Sequence, residues 1–150
     1  MIRPATSDLA DKRLAFWGYT NRLGADAARD LARQLRRCED SCDGRLSITH
    51  FFYELPIEVD GEVVEAVRDA GGPSRYDGGW DALADALPAD GQGFEAIVCA
   101  GFDRISRSAD RFFARQQQTS AHGVALLSAD TPAFGRDVED FGYAVWCTSG

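Results

Sequence analysis

The sequence predicts an α/β domain: a three-layer, doubly wound, mostly parallel sheet of four to five strands. Three observations carry this. Short runs rich in β-branched and aromatic residues recur at Leu14–Trp17, Leu46–Tyr53, Phe94–Cys99 and Val124–Leu127. Stretches with helical spacing of apolar residues separate them, and such alternation builds a sheet from crossover helices. The chain has 150 residues, enough for one domain with a real core and not for two.

The elements follow in order. Residues 1–12 are polar and read as a flexible leader. Leu14–Trp17 is the first strand, and Gly18–Gly24 a loop. Ala25–Cys42 is a helix, with Leu31, Leu35 and Cys38 at i, i+4 and i+7 facing a core. Its Arg33, Arg36 and Arg37 read as a solvated face. Leu46–Tyr53 is the second strand, in which His50 reads as packed rather than catalytic. Glu62–Ala70 fits a short helix, and Gly71-Gly72-Pro73-Ser74 a loop. Asp77 or Gly78 opens a helix through Leu87, with Trp80, Leu83 and Leu87 on one face. Phe94–Cys99 is the third strand. Ser106–Ala121 is the next helix, ended by Gly123 in the manner of a C-cap glycine, and Val124–Leu127 is the fourth strand. Phe141–Trp146 fits a fifth. The aromatic residues Trp17, Phe51, Phe52, Phe94, Phe112, Phe113 and Trp146 read as core.

Composition narrows the function classes. No apolar run approaches the roughly 20 residues of a membrane span, and the N-terminus lacks the apolar segment of a signal peptide, so a cytoplasmic location with no membrane partner is expected. Cys38, Cys42, Cys99 and Cys147 then read as reduced thiols. Cys38 and Cys42 share a helix face, but His50 and His122 lack zinc-like spacing, so no metal and no cofactor is expected. The formal net charge is −8. A free-standing nucleic-acid binder draws affinity from a basic surface, so DNA contact here is expected to be local or reached through a partner.

Parallel sheets bind ligands beyond their strand C-termini. Three such loops carry candidates: 18–22, 54–75 and 101–107. The last holds Asp103-Arg104-Ile105-Ser106-Arg107-Ser108 between a strand and a helix. Two arginines three residues apart point one way where the turn becomes helical, and each offers a planar donor fork to an oxyanion. The helix N-terminus adds backbone N–H groups, making a phosphate site. The same spacing also fits a surface helix whose arginines pair with Asp103 or Asp110.

These pieces, in this order and spacing, resemble the catalytic domain of the serine site-specific recombinases, the resolvase/invertase family that includes the large serine integrases. The resemblance runs from residue 13 to about 132. Its anchors are Arg13-Leu14-Ala15-Phe16 with Gly18 and Thr20, Arg33–Cys38, Phe52-Tyr53-Glu54, Gly78-Gly79-Trp80 with Leu83, Phe94–Val98 with Asp103–Arg107, and Gly123–Leu127 with Ala129-Asp130. It implies a serine nucleophile that attacks a DNA phosphodiester, with arginines stabilising the developing charge. Asp103, Arg104 and Arg107 match the family's catalytic positions, with Arg104 and Arg107 holding phosphate. Glu54 matches its acidic position after the second strand.

The family's first-strand pattern is aromatic-x-Arg-x-Ser, and here it reads Trp17-Gly18-Tyr19-Thr20-Asn21. Tyr19 stands at the arginine position and Asn21 at that of the nucleophile. A carboxamide cannot carry DNA covalently, and a phenol gives one donor where an arginine gives a fork. Thr20 has a hydroxyl, but on an extended segment it points the other way. A further phosphate-binding arginine is matched only ambiguously: Arg75 lies one residue away, with Tyr76 in its place. Residues 133–150 are expected to be a short extension in place of the family's long helix and DNA-binding domain.

The sequence thus implies a serine-recombinase relative that has lost cleavage and acts by interaction or regulation, with a protein partner or a second copy of itself. The rival readings are an active recombinase or nicking domain that needs a partner, and a phosphate- or nucleotide-binding module.

Overall fold

The computed structural model describes residues 13–42, 47–87 and 93–130. Among these residues nine elements succeed one another: β1 (Arg13–Tyr19), α1 (Gly24–Cys42), β2 (Ser47–Glu54), α2 (Gly61–Asp69), α3 (Trp80–Ala86), β3 (Ala96–Cys99), a 3₁₀ turn (Phe102–Arg104), α4 (Ala109–Ser120) and β4 (Ala125–Ser128). Among the described residues the sheet has four strands, all parallel, in the order β2-β1-β3-β4. The fifth strand expected at Phe141–Trp146, the leader and the C-terminal extension lie outside the described residues.

The chain order reverses at β1. The β1–α1–β2 crossover runs one way, and the β2-to-β3 and β3-to-β4 crossovers run the other. Right-handed crossovers therefore place α1 on one face of the sheet and α3 and α4 on the opposite face. The side chains agree. A Cβ on Gly18 would lie 2.8 Å from the Phe16 ring and 2.9 Å from Leu31 of α1. The next residue back, Trp17, meets Trp80 of α3 edge-on at 5.2 Å. Alternation along β1 thus sends Phe16 under α1 and Trp17 under α3 and α4.

One continuous core runs through the sheet, from Phe16, Leu35 and Cys38 to Trp17, Trp80, Leu83, Ile97, Phe112 and Leu126. A smaller cluster of Ala28, Leu31, Tyr53 and Val67 joins α1 to α2. Phe113, expected in the core, is 42% exposed. Its neighbour Phe112 takes the inward position, and consecutive helical residues cannot both face one core.

Of the boundaries that differ from those the sequence predicts, three have a clear local reason. β1 continues through Gly18 and Tyr19, which pair with Tyr53 and Glu54. α3 opens at Trp80 and not at Asp77 or Gly78, because those two residues run along the outer edge of β2. Asp77 N–H donates to the Phe51 carbonyl at 2.8 Å, and Tyr53 N–H to the Gly78 carbonyl at 3.0 Å. Gly78 turns the chain away at φ 121°, where a side chain would be strained. α4 opens at Ala109 and not at Ser106. Ser106 Oγ accepts the Ser108 N–H at 3.0 Å, and Ser108 then caps the helix by accepting the Arg111 N–H at 3.4 Å.

Candidate anion-binding cleft

The point where strand order reverses, between the C-terminal ends of β1 and β3, is where an open α/β sheet leaves a crevice. A cleft of about 300 Å³ lies there. Tyr19 from the end of β1, Glu54 from the end of β2, the segment from Asp103 to Ser108, and Arg111 and Arg115 of α4 line it.

Arg104 is the fixed arginine. Its NH1 group donates to the Tyr19 carbonyl at 3.1 Å and to the buried Asp30 carboxylate at 3.3 Å. Its ion-pair partner is therefore Asp30 of α1, and not Asp103 or Asp110. Asp30 also accepts from Gln34 Nε2 at 3.2 Å, and Gln34 clasps the backbone of Tyr19 through both its N–H and its carbonyl, at 3.1 and 2.8 Å. The main chain is pinned too: Trp17 Nε1 donates to the Arg104 carbonyl at 2.8 Å. Both NH1 protons are committed, and among the described residues Nε and NH2 of the guanidinium have no hydrogen-bond partner.

Arg115 is held differently. Its NH1 donates to the Ile105 carbonyl at 2.7 Å, and its guanidinium lies over Trp80 at 4.6 Å and Trp17 at 5.8 Å. Burial lowers its pKa and the Glu54 carboxylate opposes that, so the group stays a cation at neutral pH. Glu54 is itself placed by α3: its Oε2 accepts the Trp80 N–H at 2.9 Å, at the helix start where an anion is favoured. Gly79 permits this approach, since a Cβ there would lie 2.7 Å from that oxygen.

Arg107 and Arg111 are exposed, and among the described residues neither has an ion-pair partner. Arg33, Arg36 and Arg37 are exposed on α1, where Arg33 reaches Asp30 and Arg37 pairs with Asp130.

The sequence-identified residues thus divide. Tyr19, Asp103, Arg104 and Arg107 come together. Asn21 is exposed and is not among the cleft-lining side chains. Arg75 faces a different depression, beside α2, and its Nε donates to both oxygens of Asp77 at 3.1 Å. Thr20 is fully buried, its hydroxyl accepting the Arg22 N–H at 3.2 Å. Sequence reasoning missed Arg111 and Arg115, although Arg107, Arg111 and Arg115 fall at a four-residue repeat. It also missed Asp30 and Gln34, a polar pair at i, i+4 beside the apolar stripe of Leu31 and Leu35.

The cleft lining holds no histidine, cysteine or lysine. Its hydroxyls belong to Tyr19, Ser106 and Ser108, and both serines serve as acceptors for the turn and the helix cap. No described cluster of His, Cys, Asp or Glu could hold a metal ion. Among the described residues no helix is long and apolar enough to cross a membrane. The cleft thus gathers four arginines, Arg104, Arg107, Arg111 and Arg115, with two carboxylates, Glu54 and Asp103.

No protein-family model and no curated sequence matches the chain. Solved structures do. The chain has the fold of serine-recombinase catalytic domains. It is similar to a resolvase-family site-specific recombinase from Streptococcus pneumoniae at 11% identity and TM-score 0.63, covering 93% of this chain and 84% of that one. The N-terminal catalytic domain of TP901-1 integrase aligns at 11% identity and TM-score 0.51, over 79% and 78% of the two chains. The C-terminal catalytic domain of ISC1926 TnpA, an IS607-like serine recombinase, aligns at 12% identity and TM-score 0.52, over 81% and 72%.

Proposed function

We propose that this chain is a serine-recombinase-type domain that binds a DNA phosphate without cleaving the strand, and that acts by pairing with a protein partner: an active recombinase or a second copy of itself. One observation carries the reading. Arg107 and Arg111 stand without ion-pair partners among the described residues, beside the pinned Arg104, in the same cleft whose β1 side offers Tyr19. A phosphate would find planar donor forks and the N-terminal N–H groups of α4 there. It would find no serine at the position the family uses for its nucleophile, where Asn21 stands outside the cleft lining. The net charge of −8 supports a partner that supplies most of the DNA affinity. Work on DNA alongside such a partner would be done in the cytoplasm.

Covalent trapping on nicked suicide DNA substrates tests this, with the full chain alone and mixed with an active serine recombinase. The expected result is no covalent adduct on this chain. The rival reading, an active nicking domain, has one feature in its favour: the Tyr19 phenol lines an arginine-rich cleft. An adduct that disappears in Tyr19→Phe would overturn the binding-only reading in favour of that rival. An adduct that maps to Thr20 would overturn it equally.

A further inference from the structure

Beside the arginine cleft lies a second depression, of about 240 Å³. Asp103, Ser106 and Arg107 line both. Apart from Ala109, the rest of the second depression is aromatic: Phe102 from the 3₁₀ turn, and Phe112 and Phe113 from α4. The rings brace one another edge to face, Phe102 against Phe112 at 5.5 Å and Phe112 against Phe113 at 5.9 Å. Phe112 is buried in the core and anchors the set, while Phe113 is 42% exposed and Phe102 half-buried. The exposed rings are thus rigidly presented, and presented next to a cationic group.

We propose that this aromatic ledge is a nucleobase subsite, so that the two depressions together take a nucleotide: phosphate on Arg107 and the cleft arginines, base on Phe102 and Phe113. The inference rests on the phosphate-binding reading above and extends it. Aromatic side chains beside a cationic groove are how single-stranded nucleic acid is held without reading its sequence, because every base has a π-face. The size agrees, since ligand pockets run from roughly 300 to 1,000 Å³ and the two depressions adjoin. Asp103, the carboxylate shared by both, is turned back toward Gly101, where a Cβ would lie 2.8 Å from its Oδ1. Arg107 is therefore the charged group at the junction that is free to meet the phosphate.

A base joined to a phosphate comes either as a free nucleotide or as one residue of a single strand. The test uses the full chain with three probes: 2-aminopurine deoxyribonucleoside 5′-monophosphate, 2-deoxyribose 5-phosphate, and a short single-stranded oligonucleotide carrying one 2-aminopurine or one abasic site. The base should tighten binding at least about fivefold over its base-free counterpart, with quenched 2-aminopurine fluorescence. Phe113→Ala should remove that gain and leave the sugar-phosphate affinity unchanged. Phe113→Leu, which keeps apolar bulk at the site, should lose it too. Arg107→Ala should weaken every probe. A gain seen with the free nucleotide assigns the site to nucleotides, and a gain confined to the oligonucleotide assigns it to a strand. Equal binding with and without the base, or an unaltered gain in Phe113→Ala, would overturn the ledge while leaving the phosphate cleft standing. Failure of every probe to bind at low salt would bring down the phosphate reading itself.

Discussion

The two walls of the cleft are built to different standards. The β3–α4 wall is over-determined: Arg104 is held by the Tyr19 carbonyl, by Asp30 and by the Trp17 indole, and Arg115 by a carbonyl and two indole rings. The β1 wall is firm only in its backbone, which Gln34 clasps on both sides of Tyr19. Beyond Tyr19 its side chains scatter, Thr20 into the interior and Asn21 into solvent. Preorganised charge is worth most where charge develops in a reaction, and here it faces a wall whose cleft-lining side chain is Tyr19. The contrast is between a set of fixed cations and a wall fixed only in its main chain.

The largest effect should come from breaking the element that serves both walls. Trp17→Ala removes a fully buried ring from under Trp80 and Arg115, together with the bond to the Arg104 carbonyl. A loss of about 3–5 kcal/mol is expected in chemical denaturation.

Next comes the tie between the walls. Asp30→Ala leaves the partly buried Arg104 without its counter-charge and should cost about 1–3 kcal/mol, since Arg104 retains some solvent. Asp30→Asn keeps a hydrogen-bonding side chain but removes the negative charge. It should raise the affinity of the cleft for inorganic phosphate in a calorimetric titration, and an unchanged affinity would mean that Arg104 does not meet the anion.

A change on the far face sharpens the comparison by sparing the cleft. The Tyr53 hydroxyl is buried under α1 and α2 with no hydrogen-bond partner among the described residues. Burial, with a smaller push from Tyr76, raises its pKa to about 12 from 10.0. The folded state then keeps a proton that the unfolded chain loses above pH 10. Stability should fall between pH 10 and 12, at a slope approaching about 1.4 kcal/mol per unit. Tyr53→Phe should reduce that slope, leaving the part due to the half-buried Tyr76 and the buried Cys99, whose pKa values burial also raises, and gain about 1 kcal/mol at pH 7 by removing the unpaired hydroxyl, with phosphate binding untouched. A loss of stability at pH 7 would point to a hydrogen-bond partner for that hydroxyl. The smallest effect belongs to the helix cap: Ser108→Ala should cost up to about 1 kcal/mol in thermal unfolding and weaken anion binding at the start of α4.

Much of this was legible in the sequence, unevenly. The strands announced themselves because buried parallel strands are near-continuous apolar runs, as in Ala96–Cys99. The arginines of the 103–107 loop were visible in the sequence, but their spacing alone fitted a salt-bridged surface helix as well as a phosphate site, and only the fold brings Tyr19, Arg104 and Arg107 to one cleft. Three things were hidden, each set by tertiary partners. Asp77 and Gly78 look like a helix start until the outer edge of β2 takes their hydrogen bonds. Asp30 looks like any helix carboxylate until the fold brings Arg104 to it, 74 residues along the chain. Phe112 and Phe113 read alike, and only the packing of α4 decides which turns inward.

The arginine cleft is proposed to hold a phosphate of a nucleic-acid strand. The most direct test is fluorescence anisotropy of a short single-stranded DNA against salt concentration, for the native chain and for Arg107→Ala/Arg111→Ala. Binding should appear at low salt and weaken as salt rises. The double variant should flatten the log–log slope by about 0.7 for each phosphate that it no longer neutralises. Native-like affinity and slope in the double variant, or no binding by the native chain even at low salt, would mean that the cleft holds no strand phosphate.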